Sequence, residues 1–197
     1  MSKIMITETL EKEKAYTVTE YFSLDQDSET KLEYHDGKIV AMSGGTTTHS
    51  SIAVKLITAL CNLLEDQPFE VYNSDVKVQI PVYNRFVYPD VMVVSQPPMH
   101  FKKRKDTITN PLLVIEVLSP STKKHDKDNK FTMYRTLPSL REYVLVEQDQ
   151  PRITTFFRNA TNHWEDNDVV GREGVARLSS VAGEIPLARI YKNIEFK

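Results

Sequence analysis

The sequence predicts a mixed α/β (α+β) fold, one domain spanning residues 1–197, with helices flanking a central sheet. Three patterns carry this expectation. Pro111-Leu112-Leu113-Val114-Ile115-Glu116-Val117-Leu118 is apolar except for Glu116, as a strand buried on both faces would be. Val87 to Val94 repeats the pattern around a single acid, Asp90. Residues 50–65 place Ile52, Leu56, Leu60, Leu63 and Leu64 at helical spacing.

The bulk numbers narrow the class. A chain of 197 residues with 40% hydrophobic content can bury a sizeable core as one domain. A net charge of -2 and a pI near 6.2 argue against a general polyanion binder, so any nucleic-acid contact must use local basic patches. No apolar run is long enough to span a bilayer, and Met1–Leu10 lacks a signal-peptide pattern, so no membrane contact and a cytoplasmic location are expected. The single Cys61 excludes an intramolecular disulfide and a cysteine-rich zinc site, and reads as a small core residue.

Taken in order, Met1 to Ala15 is polar and reads as a loosely ordered start. Thr17-Val18-Thr19-Glu20 matches a capping box and opens a short helix. Residues 31–34 and 38–42 flank His35-Asp36-Gly37, a hairpin signal. Ser43 to Thr48 is a loop, and His49 opens the amphipathic helix. Residues 69–72 and 76–80 read as strand segments, the second with a wet face carrying Lys77 and Gln79. Gln96 to Asn110 reads as a long loop. Residues 126–135 read as a helix, 140–146 as a strand, and 153–157 with the segment around Trp164 as a C-terminal β meander. Ile185 to Tyr191 is apolar enough to dock on the sheet or on a partner.

The chemistry centres on the two acids. An unpaired carboxylate in a buried strand costs several kcal/mol or shifts its pKa, so Glu116 needs a cation, a metal or a proton. Asp90 and Glu116 are 26 positions apart, which suits neighbouring strands. Carboxylates about 4 Å apart repel by roughly 4 kcal/mol at an effective dielectric near 20, and a hard divalent cation reverses that sign. Asp126, Lys130 and Tyr134 follow at four-residue spacing on one helix face. Bland readings stand beside these. Asp126 and Lys130 could be an ordinary helical ion pair, Tyr134 a core residue, and Asp90 a turn cap. Lys102, Lys103, Arg104 and Lys105 could grip a phosphate backbone, with Lys123 and Lys124 beside them, or simply be a solvated charge run.

Tyr88-Pro89-Asp90, then Ile115-Glu116-Val117-Leu118-Ser119-Pro120-Ser121-Thr122, then Asp126, Lys130, Tyr134 and Glu142-Tyr143 resemble the Uma2 family (DUF820) of the PD-(D/E)XK restriction-endonuclease-like superfamily. The resemblance implies an αβββαβ core and a DNA endonuclease using Mg2+ or Mn2+. Asp90, Glu116 and Lys130 would be catalytic. Asp90, Glu116, a Val117 carbonyl and Glu33 would hold the metal, and Asp126, Tyr134 and His49 would support it. It implies a homodimer as well. One departure stands out: the superfamily's usual lysine position is Leu118, so Lys130 would stand in from the following helix. That leaves a nuclease-fold protein that binds nucleic acid or a partner without cutting as the alternative. Glu33 is equally readable as a solvent-facing strand residue, and His49 as a first-turn polar residue.

Overall fold

The computed structural model describes residues 14–118 and 126–196, with backbone only at 126–128. The expectations for residues 1–13, for Lys123 and Lys124, and for the Asp126 side chain lie outside the described residues.

The N-terminal part runs α1 (Val18–Asp27), β1 (Leu32–His35), β2 (Lys38–Ala41), α2 (Thr47–Leu63), β3 (Phe69–Asn73), β4 (Lys77–Ile80), β5 (Arg85–Val87) and β6 (Val91–Ser95). It continues with β7 (His100–Phe101), β8 (Arg104–Ile108), β9 (Pro111–Leu118), α3 (Asp126–Tyr134) and β10 (Glu142–Glu147). The remainder is β11 (Arg152–Arg158), β12 (Trp164–Val170), β13 (Val175–Leu178), β14 (Gly183–Pro186) and α4 (Leu187–Ile190).

The central sheet has the order β12-β11-β10-β9-β6-β3. Its β9–β10 pair is parallel and bridged by α3, and its other pairs are antiparallel. Both faces are covered, which explains why β6 and β9 are apolar without alternation. Ile52, Leu56 and Leu60 of α2 pack on one face with Val91, Val93, Leu113 and Ile115. Met92, Val94, Val114 and Leu118 face the other way, against Met133 and Tyr134 of α3. Truncating a fully buried side chain such as Ile115 to Ala costs about 2–5 kcal/mol. The αβββαβ core is present as α2, β3, β6, β9, α3 and β10.

A second sheet, β2-β1-β5-β4-β8-β7, lies beside this core. The β1–β2 turn uses Asp36 and Gly37 at φ 48° and 94°, the positive values that a two-residue type I′ hairpin demands. Tyr34 and Phe86 enter an aromatic cluster with Tyr21 and Phe22 of α1, whose first turn closes the Thr17–Glu20 capping box.

Five expectations change. Residues 76–80 leave the central sheet as β4 of the second sheet. Its supposedly wet residue Lys77 is only 3% exposed, because its ammonium meets Asp25 Oδ2 at 2.8 Å and Asp106 Oδ2 at 2.9 Å. A buried ammonium is tolerable with such partners. The loop at 96–110 contains the β7–β8 hairpin, with Lys102 in the left-handed region at φ 53°. The helix expected from His49 starts at Thr47, because the Thr46 hydroxyl caps it by accepting from His49 N–H. Cys61 is exposed, since it lies on the outward side of α2.

The meander appears as β11 and β12 extending the central sheet. Leu187, Ile190 and Tyr191 dock into the core beneath α2, so the 185–191 segment covers the chain's own core. Among the described residues no helix is long and apolar enough to cross a membrane.

Candidate active site

The ladder between β6 and β9 pairs Val91 with Ile115. Carrying that register one position further sets Asp90 opposite Glu116. Glu116 faces α3, while Asp90, in the bend just ahead of β6, meets the β9 backbone at Val117 and His49 of α2.

Glu116 is 4% exposed, and both of its carboxylate oxygens are engaged. Lys130 Nζ donates to Oε2 at 2.9 Å, and the Tyr134 hydroxyl donates to Oε1 at 3.0 Å. Four-residue spacing on α3 places these two donors over the same strand residue. Tyr134 thus orients Glu116. Leu118, at the superfamily's lysine position, is buried in the core.

Asp90 Oδ2 accepts the Val117 N–H at 2.7 Å. Val117 therefore touches the site through its amide. His49 Nε2 lies 3.1 Å from the same oxygen, at an angle that makes no hydrogen bond. A Cβ on Gly45 would come within 2.5 Å of His49 Nδ1, so a glycine there leaves the ring its place. Glu33, on β1, accepts the Tyr88 N–H at Oε1 (3.0 Å) and meets His35 Nε2 at Oε2 (2.8 Å). It is mostly buried and turned toward the acids, unlike a solvent-facing strand residue.

The electrostatics follow from this burial. Burial first, then the charges of Glu116 and Glu33, push the Asp90 carboxyl up to about 7, against the opposing pull of the Val117 N–H and Lys130. Burial works against the Lys130 ammonium. The charge and hydrogen bond of Glu116, helped by Glu33 and Asp90, outweigh it and raise Lys130 above its ordinary range. Burial, then Lys130, lowers His49 below its usual range. Lys130 is thus a protonated donor across neutral pH, and His49 a neutral imidazole.

Asp90, Glu116, Lys130, Tyr134, His49 and Glu33 therefore come together. Lys102, Lys103, Arg104 and Lys105 do not join them. They sit on the β7–β8 edge of the second sheet, with β5 and β4 between that hairpin and β1. Arg104 is committed to Asp106 through Nε (3.1 Å) and Nη2 (2.9 Å), and Lys102 Nζ lies over the Phe101 ring.

Two features were missed in the sequence. Gln148, 7% exposed, donates from Nε2 to the Leu118 carbonyl at 2.9 Å and accepts the Thr46 hydroxyl at 2.7 Å. It ties the Glu116 strand to the cap of the helix that carries His49. The only local signal is a polar residue closing the apolar strand β10. The second feature is a pair of clefts beside the acids, of about 440 and 560 Å³. Lys130, Tyr134 and Glu33 line the first, and His49 and Asp90 the second.

Sheet order, flanking helices and the acidic site define a mixed α+β fold of the nuclease-like kind. A crystal structure from Anabaena variabilis, described as "a putative nuclease belonging to DUF820", superposes with a TM-score of 0.72 at 15% identity, covering 89% of this chain and 97% of that one. The Uma2 family model, described as "Putative restriction endonuclease", matches residues 18–188, and the chain belongs to that family. Two Synechocystis proteins are related along nearly their whole length. Slr1290 is 41% identical over 179 residues (90% of this chain, 92% of that protein), and sll1609 is 30% identical over 166 residues (84% and 94%).

Proposed function

We propose that the chain is a metal-dependent endonuclease that hydrolyses phosphodiester bonds in DNA. The observation that carries this reading is the Asp90 carboxylate held on the Val117 amide next to Glu116, with the Lys130 ammonium on Glu116. The family description and the nuclease-like fold support the same class.

The donor set suits a hard cation. Among the described residues no three His, Cys, Asp or Glu side chains form a ready-made cation site. Two buried carboxylates with solvent completing the shell match the way Mg2+ and Mn2+ are bound beside phosphates. Asp90 supplies the fit test: burial and the Glu116 charge push its carboxyl up to about 7 even with the Val117 N–H and Lys130 pulling it down. The site is short of positive charge, and a divalent cation supplies it. Asp90 and Glu116 would hold the ion. Glu33 has each oxygen in contact with one partner, Tyr88 N–H or His35, and stands at the rim. When bound, the ion acidifies a water and neutralises phosphate charge.

The chain's own residues do the rest. Water oxygen forms the new bond to phosphorus as its proton passes to solvent, the bridging P–O bond breaks, and the leaving alkoxide takes up a proton from solvent. Lys130, kept protonated by Glu116, donates to the phosphate oxygens as charge builds on them and does not act as a base. Tyr134 holds Glu116 in place, and the Val117 N–H holds Asp90. A pair of chains, one site per strand, completes the proposed cutting unit.

The test is nicking of supercoiled plasmid in Mg2+ or Mn2+ by wild type, Asp90→Ala and Lys130→Ala. Cleavage by wild type and its loss in both variants, with folding intact, supports the reading. Cleavage surviving Asp90→Ala refutes it. Binding of DNA that persists in every variant with no cleavage by wild type selects the non-cutting alternative.

A further inference from the structure

We infer that the cleft of about 440 Å³ between the second sheet and α3 is a seat for one nucleic-acid strand, with Arg85 as its phosphate anchor and Tyr83 as its base platform. This rests on the proposed nuclease reading and assigns the strand's place within it.

Strand register decides which side chains face the cleft. β1 and β5 pair Tyr34 with Phe86 and His35 with Arg85. Alternation then splits these strands in two. Tyr34 and Phe86 point into the aromatic core with α1. Glu33, His35, Arg85 and Val87 point the opposite way, toward α3. Val87, with Val78 and Ile80 of β4, seals the inner part of that face against Met133. The mouth is left to His35 and Arg85 on the sheet and to Asn129 and Thr132 on the helix. Lys130 and Tyr134, the two groups that grip Glu116, form the floor. A chain seated in the mouth therefore runs directly onto the acidic site.

Charge then selects the occupant. Among the described residues, three lysine or arginine cations line the two clefts. Lys31 is paired with Asp75 at 2.6 Å, and Lys130 with Glu116 at 2.9 Å. Among the described residues, Arg85 has no carboxylate partner. The negative wall residue Glu33 is already answered by Tyr88 N–H and His35. A half-buried guanidinium with no anion among the described residues, next to an acidic site, matches a phosphodiester oxygen pair, which its planar fork holds with two hydrogen bonds. Tyr83, in the turn Pro81–Tyr83 ahead of Arg85, presents a half-buried ring to the same cleft. Among the described residues that ring stacks on no other aromatic, so a base can take its face. The volume suits a nucleotide-sized ligand, as small-ligand sites commonly run from about 300 to 1,000 Å³.

The experiment is fluorescence anisotropy of a labelled single-stranded DNA oligonucleotide with the full chain in EDTA, titrated over a range of salt. Wild type, Arg85→Met, Arg85→Lys and Tyr83→Ala are compared, with urea midpoints to confirm folding. One lost phosphate contact lowers the slope of log affinity against log salt by about 0.7 in Arg85→Met, and Arg85→Lys keeps the wild-type slope. Tyr83→Ala weakens binding by about tenfold with the slope unchanged. If Arg85→Met does not fold, Tyr83→Ala still decides. Wild-type slope in Arg85→Met together with wild-type affinity in Tyr83→Ala overturns the assignment, as does an absence of oligonucleotide binding by wild type. The expected slopes combined with no plasmid cleavage would leave the strand seat standing and remove only the nuclease reading.

Discussion

Replacing Asp90 by Asn will make the metal-free protein more stable at neutral and alkaline pH, while removing its response to metal. The magnitude comes from the carboxyl's environment. Asp90 is held up to about 7, against about 3.9 for an unfolded aspartate, and its side chain is only 14% exposed. A folded-state pKa raised in this way contributes stability that is complete below about pH 4. That stability is lost as pH climbs through the folded value. About three pKa units at 1.36 kcal/mol each set the loss in the wild type at up to about 4 kcal/mol above pH 7. Asn cannot ionise and escapes it. At this chain length each kcal/mol moves the melting temperature by about 2–4 °C, so the variant should melt about 10 °C higher at about pH 8. The two proteins should converge only below about pH 4. Mn2+ at about a hundred times its dissociation constant should restore about 2.7 kcal/mol to the wild type and nothing to the variant. Scanning calorimetry at both pH values, in EDTA and in Mn2+, reads all of this. An Asn variant less stable than wild type at pH 8, or one that keeps the full Mn2+ shift, refutes the reasoning.

Three further outcomes follow from other parts of the structure. Lys77→Met strips the buried carboxylate of Asp25 of its cation and should cost about 3–5 kcal/mol in urea unfolding; Lys77→Met/Asp25→Leu should recover most of it, because a buried pair can be replaced by apolar residues at little net cost. Gln148→Leu should leave a folded chain whose Mn2+ affinity or cleavage rate falls about tenfold, since the bridge between Leu118 and the α2 cap is cut. Burial pushes the Asp106 carboxyl up, but the hydrogen bonds of Arg104 and Lys77 outweigh it and hold it well below the ordinary range. Its contribution is therefore present above about pH 4 and lost as pH falls further, and Arg104→Gln should flatten that acid limb of the stability curve.

What was legible in the sequence was whatever depends on local pattern. The apolar runs around Asp90 and Glu116 are readable because both faces of β6 and β9 are covered, so no polar alternation interrupts them. The Thr17–Glu20 box and the Asp36-Gly37 turn are readable because their chemistry is local. The shared face of Lys130 and Tyr134 was readable from four-residue spacing, but that both donate to Glu116 was not, since α3 meets β9 only in the fold. The misread residues are those whose partners are far away in the chain. Lys77 looked wet because Asp25 and Asp106 lie 52 and 29 positions away. The 102–105 charge run looked like a loop because nothing local shows that Arg104 is spent on Asp106 within a hairpin. Gln148 gave only the signal of a polar residue at the end of an apolar strand, since its partner Thr46 is 102 positions from it. The strand seat was invisible for the same reason: Arg85 meets His35 only through sheet pairing.

The central claim is that Asp90 and Glu116 together hold a divalent cation beside Lys130. Titration calorimetry of the full chain with Mn2+ tests it without any knowledge of the substrate, run on wild type, Asp90→Asn and Glu116→Gln. The account predicts saturable binding by wild type that disappears in each variant while the fold persists. Equal Mn2+ binding by all three proteins would contradict it.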